Sequence, residues 1–101
     1  MVKLMVIGPN GKMGRAMIHQ ARLHPEMELV GGVGPKGCCY SGTDLGVIAG
    51  IGENLGVVAG DNIDDLIHSC DVAVECTNVD ASLAILDKCV AAVKPLVSGT
   101  T

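Results

Sequence analysis

Three observations predict an α/β fold, a single parallel sheet with helices on both of its faces. Short apolar runs alternate with longer stretches of helical period along the whole chain, the pattern of βαβ crossovers. The first run, Val2–Ile7, is apolar almost throughout, as a strand buried on both faces should be. At 101 residues with 49% hydrophobic content, the chain is the size of one domain and can bury a core without disulfides or metal.

The elements follow in order. Gly11–His24 changes to a helical period: Met13, Gly14, Met17, Ile18 and Ala21 make one stripe, and Arg15, His19 and Arg22 another. Pro25 stops this helix. MELVGGV (27–33) reads as the second strand. Positions 34–56 hold seven glycines in 23 residues and read as loop, with a short helical turn near 44–49. GVVA (56–59) is the expected third strand. Asp61 is the expected N-cap of the next helix, with Ile63, Leu66, Ile67 and Cys70 inward. DVAVEC (71–76) is the fourth strand. A helix from about Asn78 should turn Leu83, Leu86, Cys89, Val90 and Val93 inward, and PLVS (95–98) is the fifth strand. No internal repeat and no linker divides the chain.

Composition excludes several function classes. The net charge is −4 and Tyr40 is the one aromatic residue. Nucleic-acid binding draws on clustered Lys and Arg and on aromatic stacking, so neither requirement is met. No apolar run reaches the ~18–20 residues of a membrane span, and LMVIG is too short for a signal peptide. The five cysteines, Cys38, Cys39, Cys70, Cys76 and Cys89, contain no C-x-x-C pair. They read as reduced thiols of a cytoplasmic protein. His19, His24 and His68 do not complete a metal-ligand spacing, and the two outer ones, His19 and His68, read as helix-surface residues.

The glycines carry the functional reading. VIGPNGKMGRAM (6–17) places Gly8, Gly11 and Gly14 three apart between the first strand and the first helix. Gly8 would permit a tight turn at positive φ. Gly11 would let a ligand touch the backbone, and Gly14 would let the helix lie close. A helix N-terminus offers free N–H groups and the positive end of its dipole to a pyrophosphate. This is the logic of a Rossmann-type phosphate loop, spaced G-x-x-G-x-x-G in place of G-x-G-x-x-G. Asn10 takes the strict motif's second glycine position, where its tolerance of the left-handed region would help. Lys12 adds positive charge. At the end of the second strand, Gly34, Pro35 and Lys36 supply no acid to hold ribose hydroxyls or repel a 2′-phosphate. Lys36 favours NADPH, or use of both dinucleotides, over strict NADH on this reading.

The same segments resemble the 4-hydroxy-tetrahydrodipicolinate reductase (dihydrodipicolinate reductase) family, which reads V-x-G-x-x-G-[RK]-M-G-R after its first strand. SGTDLGVIAG (41–50) is similar to the family's G-x-D-x-G-x-L-A-G loop, VAVECT (72–77) to its strand ending in D-F-T, and VSGTT (97–101) to its G-T-T-G turn. The resemblance covers this whole chain but only the nucleotide-binding half of a family member. It implies an NAD(P)H-dependent reductase of lysine biosynthesis that transfers hydride to a cyclic dicarboxylate. Gly8, Pro9, Asn10, Gly11, Lys12 and Met13 would wrap the pyrophosphate, with Gly14 supporting the helix. Cys76 and Thr77 would lie beside the nicotinamide, and Gly99, Thr100 and Thr101 would line the same end. Cys76 lines the pocket and is not a nucleophile, because no His stands near it in sequence to activate it.

Departures from the family pattern fall at informative places. Gly34 stands where many members carry a ribose-binding Glu, Pro35 where some carry Arg, and Glu75-Cys76 where Asp-Phe is usual. The resemblance places the substrate-binding and proton-donating residues beyond the G-T-T-G turn, in a second domain through which family members are often tetramers. Residues 1–101 are therefore expected to bind cofactor without turnover. Two alternatives are a related amino-acid dehydrogenase, acting on diaminopentanoate or homoserine, and a stand-alone nucleotide-binding or redox-sensing module.

Overall fold

A computed structural model describes residues 2–75 and 79–98. Five strands, β1 (Val2–Ile7), β2 (Met27–Val33), β3 (Ala59–Gly60), β4 (Val72–Glu75) and β5 (Leu96–Ser98), form one sheet in the order β3-β2-β1-β4-β5. Every strand pairing is parallel. Helix α1 (Lys12–Leu23) links β1 to β2, α2 (Leu45–Ile48) lies in the long β2–β3 connection, α3 (Ile63–Leu66) runs into a 3₁₀ turn at Ile67–Ser69, and α4 (Val79–Ala92) links β4 to β5. The β1–β2 register slips by one residue between Leu4 and Met5, so Leu4 pairs with Leu29 and Met5 with Gly31.

β1 is the centre of the sheet because its side chains serve both faces. Leu4 and Val6 pack with Ile18 and Ala21 of α1 and with Leu45, Ile48 and Ala59. Met5 and Ile7 point the other way, onto Val33, Ile67, Cys70, Ala73, Ile85 and Cys89. The period of two along one strand thus builds two cores. The fold is the Rossmann type, with helices on both faces as the sequence predicts.

Three local expectations are corrected. The third strand is Ala59–Gly60, not 56–59; Gly56 has φ +78, and Val58 makes only an isolated antiparallel bridge to Asp44. The N-cap of α3 is Asn62, whose side chain accepts from Asp64 N, and not Asp61. The inner face of α4 is also different: Ile85 and Cys89 are buried, whereas Leu83, Leu86, Val90 and Val93 are exposed. The reason is a polar residue on the buried side. Ser82, Ile85, Cys89 and Ala92 follow helical spacing, and Ser82 Oγ donates to the buried Glu75 Oε1 at 2.7 Å.

The exit from α4 carries the one positive-φ residue other than glycine among the described residues, Val93 at φ 56. Val93 N donates to Val90 O at 3.1 Å and Lys94 N to Cys89 O at 2.9 Å. This is the hydrogen-bond pair of a Schellman ending, with a β-branched side chain in the position that favours glycine.

Candidate functional site

The order of the strands reverses between β1 and β4, and in open parallel sheets ligands sit outside the carboxyl ends of the strands at such a point. Ile7 and Glu75 pair at those ends. The chain leaving β1 turns at Gly8, whose φ of 81 admits glycine and few others. Gly8 N donates to Val33 O at 2.8 Å, which fixes the turn against β2. Pro9 is buried beneath it.

The three glycines have three different reasons. Gly8 is required by backbone conformation. Gly14 is required by packing: a Cβ there would collide with Gly8 O and lie 2.9 Å from Pro9 Cα. Among the described residues nothing requires a glycine at position 11. Gly11 is extended, with φ −77 and ψ 166, and a Cβ would meet no atom closer than Gly8 O at 3.5 Å. Its bareness faces outward, at the N-cap of α1.

Among the described residues no side chain hydrogen-bonds to that N-cap, and no acid lies in the first turn of α1. Arg15 N, bonded to Gly11 O at 2.9 Å, begins the helical ladder, so the N–H groups of the turn before it are directed out of the helix end. Asn10, Lys12 and Met13 are exposed around it. Asn10 does not use the left-handed region expected of it; its Oδ1 accepts from Arg15 Nη2 at 3.2 Å.

Beside this helix end lies a cavity of about 240 Å³, lined almost wholly by apolar atoms. Ile7, Gly8, Val33, Gly34 and Pro35 form one wall, Ile63, Ala84 and Ile85 another, and among the described residues Asp61 supplies the one charged side chain. Gly34 N donates to Gly60 O at 2.9 Å, holding the end of β2 to β3. Lys36 is exposed and does not line the cavity. Cys76, Thr77, Gly99, Thr100 and Thr101 lie outside the described residues.

Two carboxylates that sequence reasoning left without a role organise the surroundings. Glu75 is fully buried and accepts from Ser82 Oγ and Ser98 Oγ, tying α4 and β5 to the end of β4. The signal was a lone acid in an apolar strand with a serine seven residues on. Asp44 caps α2 by accepting from Gly46 N at 2.7 Å, and also accepts from Leu55 N and Gly56 N at 2.8 Å. These N–H donors, Leu55 foremost, hold its carboxyl below the ordinary carboxylate range. His19, expected on the surface, is half-buried and donates from Nε2 to Ala49 O at 2.8 Å, pinning the same loop to α1. Among the described residues no helix is long and apolar enough to cross a membrane.

A parallel 3-2-1-4-5 sheet with an uncapped helix N-terminus at its reversal point defines a Rossmann-type nucleotide-binding domain. Comparison with known proteins gives the particular family. A family model described as "Dihydrodipicolinate reductase, N-terminus" matches residues 2–101, and the chain belongs to that family. It is 34% identical over 100 residues to a 4-hydroxy-tetrahydrodipicolinate reductase of Wolbachia sp. subsp. Brugia malayi, covering 99% of this chain and 38% of that protein. It is 36% identical over 101 residues to the enzyme of the same name from Chromohalobacter salexigens, covering 100% of this chain and 37% of that one. The chain therefore spans well under half the length of these relatives.

Solved structures agree on the fold. A dipicolinate-bound dihydrodipicolinate reductase from Paenisporosarcina sp. TG-14 superposes with a TM-score of 0.77 at 26% identity, over 100% of this chain and 38% of that one. An amine dehydrogenase from Mycobacterium smegmatis gives 0.84 at 24% identity, over 96% of this chain and 29% of that one. The last likeness is one of fold alone.

Proposed function

We propose that residues 1–101 are the part of a dihydrodipicolinate-reductase-type enzyme that binds a nicotinamide dinucleotide. The observation that carries this is Gly11: a glycine at the N-cap of α1 that neither conformation nor packing demands, at the sheet's reversal point. The residues present fit such a ligand. The pyrophosphate would lie on the first turn of α1, over Gly8 to Met13, where the N–H groups and the helix dipole favour an anion. Lys12 adds charge from the rim. The adenosine would enter the apolar cavity between β2 and α4, past Gly34 and Pro35. A solved relative of the fold, an aspartate semialdehyde dehydrogenase from Candida albicans, is described with NADP.

The bound nicotinamide would supply a hydride for a cyclic dicarboxylate. This chain's residues would hold the dinucleotide and aim its far end past the carboxyl ends of β4 and β5. Hydride transfer needs the acceptor at near-attack distance, so turnover is assigned to the full-length enzyme, whose substrate groups lie outside these residues.

Gly11→Asp tests this reading. An Asp at an N-cap supports a helix, and the space at position 11 accepts a Cβ. The variant should keep or raise its Tm, while calorimetric affinity for NADH and NADPH falls at least about tenfold, because the carboxylate takes the anion's place. Unchanged affinity for both would refute the phosphate-loop role.

A further inference from the structure

Asp61, the one charged group lining the cavity among the described residues, bears on which of the two nicotinamide dinucleotides the site takes. This rests on the dinucleotide reading above. In Rossmann-type sites the group at the end of β2 meets the adenine ribose, and a carboxylate there binds the 2′- and 3′-hydroxyls and repels a 2′-phosphate. Position 34 holds no such acid, and a side chain there would have to displace Tyr40. A Cβ on Gly34 would run into Tyr40 Oη and lie 2.6 Å from Tyr40 Cζ. The chain's one aromatic side chain fills the place that a side chain at 34 would need.

We propose that Asp61 takes over this role from the neighbouring strand, and that the site therefore takes NADH and discriminates against NADPH. Asp61 follows β3 directly, and β3 is hydrogen-bonded to the end of β2. It lines the cavity together with Gly34 and Pro35. Its Oδ2 accepts from Gly37 N at 3.0 Å, which anchors the carboxylate across the mouth of the β2–β3 edge. Among the described residues Oδ1 has no hydrogen-bond partner and no cation pairs with the carboxylate. Asp61 is also not needed as a helix cap, since Asn62 performs that task. Lys36, the residue that favoured NADPH, stands outside the cavity lining.

The test is a titration of the chain with NADH and with NADPH, repeated for Asp61→Asn and Lys36→Ala. Asn can still accept from Gly37 N, so the loop keeps its anchor. The wild type should bind NADH at least about tenfold more tightly than NADPH, the scale of one unfavourable like-charge contact. Asp61→Asn should bring the ratio to within about threefold, chiefly by strengthening NADPH binding. Lys36→Ala should leave the ratio unchanged. Equal binding by the wild type, an unaltered ratio in Asp61→Asn, or loss of NADPH binding in Lys36→Ala overturns the assignment of Asp61 and leaves the dinucleotide reading standing. Binding of neither dinucleotide overturns both.

Discussion

Helices α1 and α4 both cover the sheet beside the reversal point, yet they are held there differently. α1 buries a narrow stripe, Gly14, Ile18 and Ala21, and presents Arg15, Arg22 and other polar groups outward. Its first turn is locked by backbone contact with Gly8 and Pro9. α4 is anchored by Ile85 and Cys89 and by a hydroxyl on a buried carboxylate, while Leu83, Leu86 and Val90 face outward. One helix is placed by shape and by a single apolar stripe. The other is apolar on several sides and is oriented by a polar contact. A hydrophobic residue is therefore informative about burial only where its helix also carries polar residues to mark the opposite face.

Substitutions in the two helices test this difference. The largest effect belongs to the stripes themselves. Ile18→Ala and Ile85→Ala should each lower stability by about 2–5 kcal/mol, the range for truncating a buried branched side chain, as read from urea unfolding. Ile18, with no exposed surface, should stand at the upper end and Ile85 at the lower. Gly14→Ala comes next. The added methyl must displace Gly8 and Pro9, costing about 1–3 kcal/mol, and dinucleotide affinity should fall with it because the phosphate loop moves.

A change of opposite sign follows at the end of α4. Val93→Gly should raise stability by about 0.5–1 kcal/mol, relief of left-handed strain exceeding the added freedom of the unfolded chain. A lower Tm would show that Val93 packs usefully despite its exposure. Leu86→Ser should change stability by less than about 0.5 kcal/mol, which a buried Leu86 could not do.

The remaining effect is confined to acid. Asp44 has its carboxyl held low in the folded chain by backbone donors. Its contribution is present above the unfolded value of about 3.9 and is lost as pH falls through the lower folded value. Thermal unfolding followed from pH 5 downward should show a steep acid limb in the wild type. Asp44→Asn should flatten that limb.

These contrasts also explain what was legible in the sequence. β1, α1 and β2 were readable to within a residue because apolar runs, glycine and Pro25 mark their ends physically. The turn from β1 into α1 was readable because Gly8 and Gly14 are glycines for reasons a chain cannot avoid. The inner face of α4 was not, since Ser82 on the buried side is polar only to serve Glu75, 7 residues away in sequence but opposite it in space. The nearness of Asp61 to Gly34 was hidden for a related reason. Asp61 is 27 residues from Gly34, and only the pairing of β3 with β2 brings the two together. Tyr40, six residues on in the β2–β3 connection, lies over Gly34.

The pairing of β2 with β3 has a kinetic consequence. β1 is hydrogen-bonded on both sides, between β2 and β4, so its amide protons should exchange with solvent only when the whole domain unfolds. β3 has two residues and lies at the sheet's edge. The Gly34, Gly37 and Gly42 amides, which bond to Gly60, Asp61 and Ala59, sit on that edge and should exchange through local opening. In the proposed site the ribose end would rest on an edge of the sheet and the pyrophosphate turn on its central strand. A dinucleotide that bridges them should slow deuterium uptake at Gly34 and Gly37 far more than anywhere in β1.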